Sequence, residues 1–418
     1  MDITIHGGAN EIGGNCIQIT SEGKSIFLDA GVPLEEIEDK DKKPKLIDFN
    51  KIRKSNKSTI LGIFLSHSHQ DHFLSLKNAE GIPVFTGKPS YKILKVMKDF
   101  SMADIPLENI TTFMDGKEFN LEPFVITPIP VDHSIYDAHA FHITDGRNSV
   151  LYTSDIRFHG RKKRMMKTVF DKFIAPDVLL VEGTNLRESA DKTIYSEESS
   201  LEGIMAEFMK ETRGLSLVAC SSLNIDRVVT VYKAALKSGR ELIIDLYTAE
   251  ILKATGNGRI PNTSWQDVHL YLNDRQRNIV KKNCLFDVVK KHGLGRLYEN
   301  EIYKNRSKYV LLYKESHKGF LDKNNLFDDC SLIYSIWKGY LEVEKSLKDL
   351  VGIYNIPLRF MHVSGHMFKK NLVSLLEKLK PKAIIPIHTN NREIFREFKN
   401  AVLLDNGEEY EVGVNNKS

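Results

Sequence analysis

The chain has 418 residues, 41% of them hydrophobic and 27% charged, with a formal net charge of +4. That length exceeds what one core usually serves, so two domains are expected, and the mild basicity tolerates an anionic substrate without demanding one. Four scattered cysteines without a CxxC pair indicate no disulfide framework or thiolate zinc site, and no stretch approaches about 18 apolar residues, so no membrane span is expected.

Residues 1–20 lack the basic start and apolar core of a signal peptide, which makes the cytoplasm the default compartment. Residues 2–6 alternate as a strand, 16–20 follow a glycine-rich bend, and 24–29 form a strand ending in Asp29-Ala30-Gly31. The glycines of Gly7-Gly8-Ala9-Asn10-Glu11-Ile12-Gly13-Gly14 do not fit GxGxxG, and the segment reads as a strand-connecting turn beside a site. Residues 38–57 are lysine-rich and read as a solvated connection. Strands are expected at 60–65, 83–86, 124–128, 140–144, 149–153 and 178–182, with a helix at 90–100.

The pattern then changes to alternating helix and strand, the signature of a parallel α/β unit. A helix is expected at 196–212 with Ser196 as its N-cap, then strand 215–220, helix 225–238 and strand 241–246. Residues 273–292 read as helical, 309–313, 331–336 and 358–363 as strands, 369–379 as a helix and 383–387 as a last strand.

His67-Ser68-His69-Gln70-Asp71-His72 directly follows the apolar run before it. Strand side chains alternate, so His67 and His69 point the same way, while Asp71 and His72 face a second point nearby. That is a donor set for two adjacent cations, which can clamp the attacking and leaving oxygens of a phosphodiester. His and carboxylate donors without thiolates suit zinc or manganese. His133, Asp155 and His388 each follow another apolar run, and strand-end positions of this kind converge on one crevice.

These residues resemble the motifs of metallo-β-lactamase-fold hydrolases, in particular the β-CASP nuclease branch, the group of ribonuclease J and the mRNA 3′-end-processing endonuclease. Asp29 is similar to the first motif, His67, His69, Asp71 and His72 to the second, His133 to the third and Asp155 to the fourth. Glu182 resembles the β-CASP acid, and His366 and His388 its two later histidines. The resemblance implies one metal on His67, His69 and His133, a second on Asp71, His72 and His388, and Asp155 bridging them with a hydroxide. Catalytic roles fall to Asp71, Asp155, the general acid His366 and its supporting carboxylate Glu182. Asp29 would orient a ligand without binding metal. Substrate contacts are implied for His362, Ser364, Gly365, Ser222 and Arg227, with Ser221 and Asn224 in the same segment. A basic run, Arg161-Lys162-Lys163-Arg164, could line an RNA path, although a solvated charge run is the better reading.

The fold implied is an αββα metallo-β-lactamase sandwich (residues 1–190 and 355–418) with a β-CASP α/β domain (191–354) inserted. The function implied is a two-metal ribonuclease (zinc, alternatively manganese) acting on single-stranded RNA as an endonuclease, a 5′-to-3′ exonuclease or both. The chain stops soon after His388 without the extra C-terminal domain of full-length ribonuclease J, which leaves a homodimer open. Three alternatives stand beside this: a DNA-directed nuclease, a small-ester or lactam hydrolase, and a catalytically silent RNA-binding scaffold.

Overall fold

The computed structural model describes residues 1–413, except 40, 42, 56, 57, 187–194 and 344, and the side chains of 342 and 343. The expected domain boundary at 190/191 lies outside the described residues. In chain order, β1 (Asp2–Gly7), β2 (Cys16–Ser21), β3 (Lys24–Leu28), β4 (Thr59–Phe64), β5 (Val84–Gly87) and β6 (Ile110–Phe113) lead the fold. A second group follows: β7 (Phe119–Leu121), β8 (Phe124–Pro130), β9 (His139–Thr144), β10 (Ser149–Tyr152) and β11 (Val178–Glu182). A third comprises β12 (Ser216–Ala219), β13 (Glu241–Asp245), β14 (Val268–Tyr271), β15 (Tyr309–Tyr313), β16 (Ser331–Tyr334) and β17 (Leu358–Phe360). The last strands are β18 (Ala383–Ile387) and β19 (Glu409–Glu411).

The first sheet runs β19-β1-β2-β3-β4-β5-β6 and the second β18-β11-β10-β9-β8-β7. Their facing sides alternate apolar residues into one shared core, where Ile5, Ile19, Leu28 and Phe64 meet Ile126, Phe141, Val150 and Ile385. Their outer faces are apolar too, because helices cover them. Phe27, Ile63 and Leu65 pack under the helix Lys88–Asp99, and Leu151, Leu179 and Ile384 pack under the helix Lys369–Leu379. Helix, sheet, sheet and helix form the αββα sandwich of a metallo-β-lactamase fold.

The third sheet, β14-β13-β15-β12-β16-β17, is parallel throughout. Its inner strands β13, β15, β12 and β16 are buried on both faces, as parallel strands between helices must be. β17 pairs with β16, so Leu358–Phe360 stay with this sheet and the chain returns to the sandwich only afterwards. The helix expected from residue 196 starts instead at Leu201 after a short 3-10 turn, and Ser196 does not cap it. Glu198 in that turn is buried against Arg227, and this ion pair holds the entry. The connection at 38–57 carries a short helix, Phe49–Ser55, which anchors itself by burying Phe49. No helix among the described residues is long and apolar enough to cross a membrane.

Candidate metal centre

The site is assembled from strand ends. His67 and His69 follow β4, and Asp71 and His72 lie in the short helix Gln70–Phe73. His133 follows β8, Asp155 follows β10, and His388 follows β18. The turns are tight: Asp29, Ser154 and His388 all hold φ near +50° to +60°, a left-handed conformation costly for residues with a Cβ. Gly31 explains how the chain passes so close, because a Cβ there would lie 1.8 Å from the carbonyl oxygen of Asp71. The expected glycine-rich turn does border the site, where Gly14 N–H donates to Asp71 O and His388 N–H donates to Gly8 O.

Two clusters result, one of His67, His69, His133 and Asp155, the other of Asp71, His72, Asp155 and His388. Within each, the donor atoms lie within 4.8 Å of one another. His67 Nε2 and His133 Nε2 are each 3.1 Å from His69 Nδ1, and His133 Nε2 is 3.7 Å from Asp155 Oδ2. In the second cluster His388 Nε2 is 3.2 Å from Asp71 Oδ2, and His72 Nε2 is 3.2 Å from Asp155 Oδ2. Tetrahedral zinc with bonds of about 2.05 Å spaces its donors by about 3.3 Å, within this spread.

The outer nitrogens decide which tautomer each ring holds. His72 Nδ1–H donates to Asp29 at 2.8 Å, His133 Nδ1–H to Gly365 O at 2.7 Å. Ser66 Oγ donates to Asp29 and so accepts from His67 Nδ1 at 3.0 Å. Thr184 donates to His388 O and so accepts from His388 Nδ1 at 2.8 Å. Each Nε2 lone pair is thereby turned inward, the arrangement in which a second partner orients a metal ligand. Burial keeps His67 and His133 far below the ordinary imidazole value and His69 at about 4, so their lone pairs are available. Burial also opposes charge on His72, yet Asp155, Asp71 and Asp29 outweigh it and draw positive charge to that spot. His72 Nε2 and Asp155 Oδ1 are buried without a hydrogen-bond partner, a cost that a cation would remove. The residues fit a pair of divalent metal ions.

His366 sits over both clusters, its ring 5.1 Å from that of His133 and 5.4 Å from that of His388. Its Nδ1 donates to Glu182 Oε2 at 3.0 Å, and Glu182 is wholly buried, also accepting from Ile156 N and Met367 N. Burial disfavours a charged His366, but the Glu182 and Asp155 carboxylates prevail and lift it to about 9.

The clusters open into a cleft of about 1080 Å³ between the sandwich and the third sheet, lined by His69, Asp71, His133 and His366 on one side and Ser221, Arg275 and Lys314 on the other. His362, Ser364, Gly365 and Ser222 line it as well, although Ser222 is nearly buried and bonded to Thr248. Arg227 does not reach it. Its guanidinium is fully buried, paired with both Glu198 oxygens and donating to Ser335 and to the carbonyl of Val363. In the Arg161–Arg164 run, Arg161 pairs with Glu202 and Lys163 with Glu197, while Arg164 is exposed.

Sequence reasoning missed the clamp beneath the His366 loop. Arg157, fully buried, bonds Asp132 and Asp226, lies 3.7 Å from Glu198 and reaches Ser364 O, which His159 also holds at 2.9 Å. Asn185 donates to Ser364 Oγ and His366 O. A buried arginine between three acids leaves no local pattern, so only Asn185, within the Glu182 motif, carried a signal.

Residues 43–206 match the family described as Beta-lactamase superfamily domain. The chain is 25% identical over 410 residues to Ribonuclease J of Mycoplasma genitalium, covering 91% of this chain and 66% of that one. It is 22% identical over 399 residues to Ribonuclease J 2 of Streptococcus pyogenes, covering 93% and 69%. Against Ribonuclease J of Helicobacter pylori it is 23% identical over 446 residues, covering 99% and 61%. The chain thus spans about two thirds of the length of these curated relatives. A solved structure of a protein of unknown function from Enterococcus faecalis superimposes with a TM-score of 0.75 at 18% identity, covering 98% of this chain and 99% of that one. Fold and matches show a metallo-β-lactamase fold, and it carries a cluster of His and Asp suited to divalent metal. Over most of its length the chain is similar to the ribonuclease J proteins of the β-CASP branch.

Proposed function

We propose that this protein is a metal-dependent ribonuclease that hydrolyses phosphodiester bonds of single-stranded RNA, as an endonuclease, a 5′-to-3′ exonuclease or both. The observation that carries the reading is the pair of donor clusters sharing Asp155, with His366 and Glu182 poised above them in an open cleft. The relatives named Ribonuclease J support RNA as the substrate. His67, His69 and His133 would hold one cation, Asp71, His72 and His388 the other, and Asp155 both. Zinc is the first choice and manganese the second. Bound there, the pair would acidify a water and offset charge building on the phosphate.

The chain's own groups do the rest. His366 gives a proton to the departing 3′ oxygen, and Glu182 favours the charged ring and aims its Nε2. Ser364, Gly365 and His362 seat the phosphate, while Asp29 keeps His72 turned inward. Arg227 acts indirectly, by fixing the Val363 carbonyl at the base of that loop. We assign the inserted unit to the span between the described residues ending at 186 and Phe360, and the location to the cytoplasm.

Matched end-labelled RNA and DNA oligonucleotides test the reading. The expected result is cleavage of RNA in zinc or manganese, none after chelation, and little on DNA. Equal cleavage of DNA, or none of RNA in any divalent metal, would overturn it.

A further inference from the structure

One concentration of positive charge is left unused by the centre and by the ion pairs. The helix Lys88–Asp99 buries Ile93, Leu94 and Met97 and turns Lys88, Lys92 and Lys95 to solvent in a row. At 1.5 Å per residue that row is about 10 Å long. The helix packs on Leu246–Ala254 of the inserted unit, where Lys253 is exposed. Asn283 of the inserted unit donates to Asp99 O at 2.6 Å, fastening the helix Asp274–Lys282 to the same seam. That helix ends in exposed Lys282, and the next carries exposed Lys291, whose charge reaches Glu250 together with that of Lys253. Glu250 itself is taken by His292 at 2.6 Å. Among the described residues, none of these six lysines has a carboxylate oxygen within 4.0 Å.

The ridge and the cleft share two helices. Met97 of the first helix and Arg275, Gln276 and Ile279 of the helix Asp274–Lys282 line the cavity, while Lys88, Lys92, Lys95 and Lys282 on those two helices are exposed. An extended row of unpaired ammonium groups matches a chain with a repeating negative charge better than a single small anion. We propose that this ridge is an exosite for the flank of a single-stranded RNA whose scissile phosphate occupies the metal cleft. It draws on both structural units, so the bound flank bridges their seam. The inference rests on the ribonuclease reading and adds to it a length dependence that the metal centre does not provide.

The test compares the whole chain with the triple variant Lys88→Gln/Lys92→Gln/Lys95→Gln. Anisotropy and cleavage are followed on a short RNA of about 6 nucleotides and a long one of about 30, across salt from about 50 to 200 mM. The long RNA should bind the variant about tenfold more weakly, and its log K against log salt slope should shrink by about 2, from three lost contacts at about 0.7 each. The short RNA should bind and be cut as by the parent. Unchanged binding of the long RNA, or equal losses on both lengths, would overturn the exosite. A parent that binds the long RNA but cuts neither length would overturn the ribonuclease reading, and the binding comparison would still judge the ridge.

Discussion

The imidazole of His133 and the carbonyl of Gly365 are joined by a 2.7 Å hydrogen bond across 232 residues of chain. One contact thus orients a donor of the first cluster and positions the loop that carries His366. A Cβ at Gly365 would stand 3.0 Å from Ser134 Oγ and 3.2 Å from His133 Cε1, tight enough to push the ring aside. Gly365→Ala should weaken metal binding at the His67–His69–His133 cluster by about tenfold. Metal titration by calorimetry would register this, and an unchanged isotherm would mean that the contact does not steer the ring.

Asp29 gathers four donors: Ser66 N, Ser66 Oγ, His72 Nδ1 and Tyr152 OH. Asp29→Asn keeps the shape but loses the charge that holds the His72 proton on Nδ1. Affinity at the Asp71–His72–His388 cluster should fall by about 10- to 100-fold. Circular dichroism should remain that of the parent.

His366→Ala should slow the chemical step by about 10²- to 10⁴-fold with metal content unchanged. Glu182→Gln should act in the same direction. The donors of Glu182, His366 and His388 also lie within 4.8 Å of one another. Loss of an ion from His366→Ala would therefore make His366 a ligand instead of an acid.

Glu198 gives a pH prediction away from the metals. Burial pushes its carboxyl up, but the charge and hydrogen bonds of Arg227, with the charge of Arg157, hold it at about 2. The folded value lies below the ordinary one, so the stabilisation is complete above about pH 4.5 and is lost as pH falls towards about 2. Glu198→Gln leaves Arg227 under-compensated and should cost about 3–5 kcal/mol at neutral pH. Melting temperatures across this window should show a large gap near neutrality that narrows in acid.

The donor set was legible because each member stands where an apolar run ends, as His67 does after β4 and His388 after β18. Local pattern could say that such positions converge, but not which nitrogen faces inward. That depends on partners such as Thr184 for His388 and Gly365 for His133, more than 200 residues away in each case. Arg227 shows the opposite failure: an arginine in a phosphate-like segment reads as a surface contact until burial pairs it with Glu198. β14 went unseen because Val268–Tyr271 is only four residues long inside a polar stretch, and its strand character comes from pairing with β13. Ser196 was read as a cap by residue type alone, whereas the Glu198 ion pair sets where that helix begins.

The central claim is that two cations share Asp155, and counting ions in three proteins tests it most directly. Metal analysis after saturation and desalting should give two divalent ions per parent chain and one in His388→Ala. Asp155→Asn should retain neither tightly. A parent holding fewer than two ions, or His388→Ala still holding both, would contradict the account.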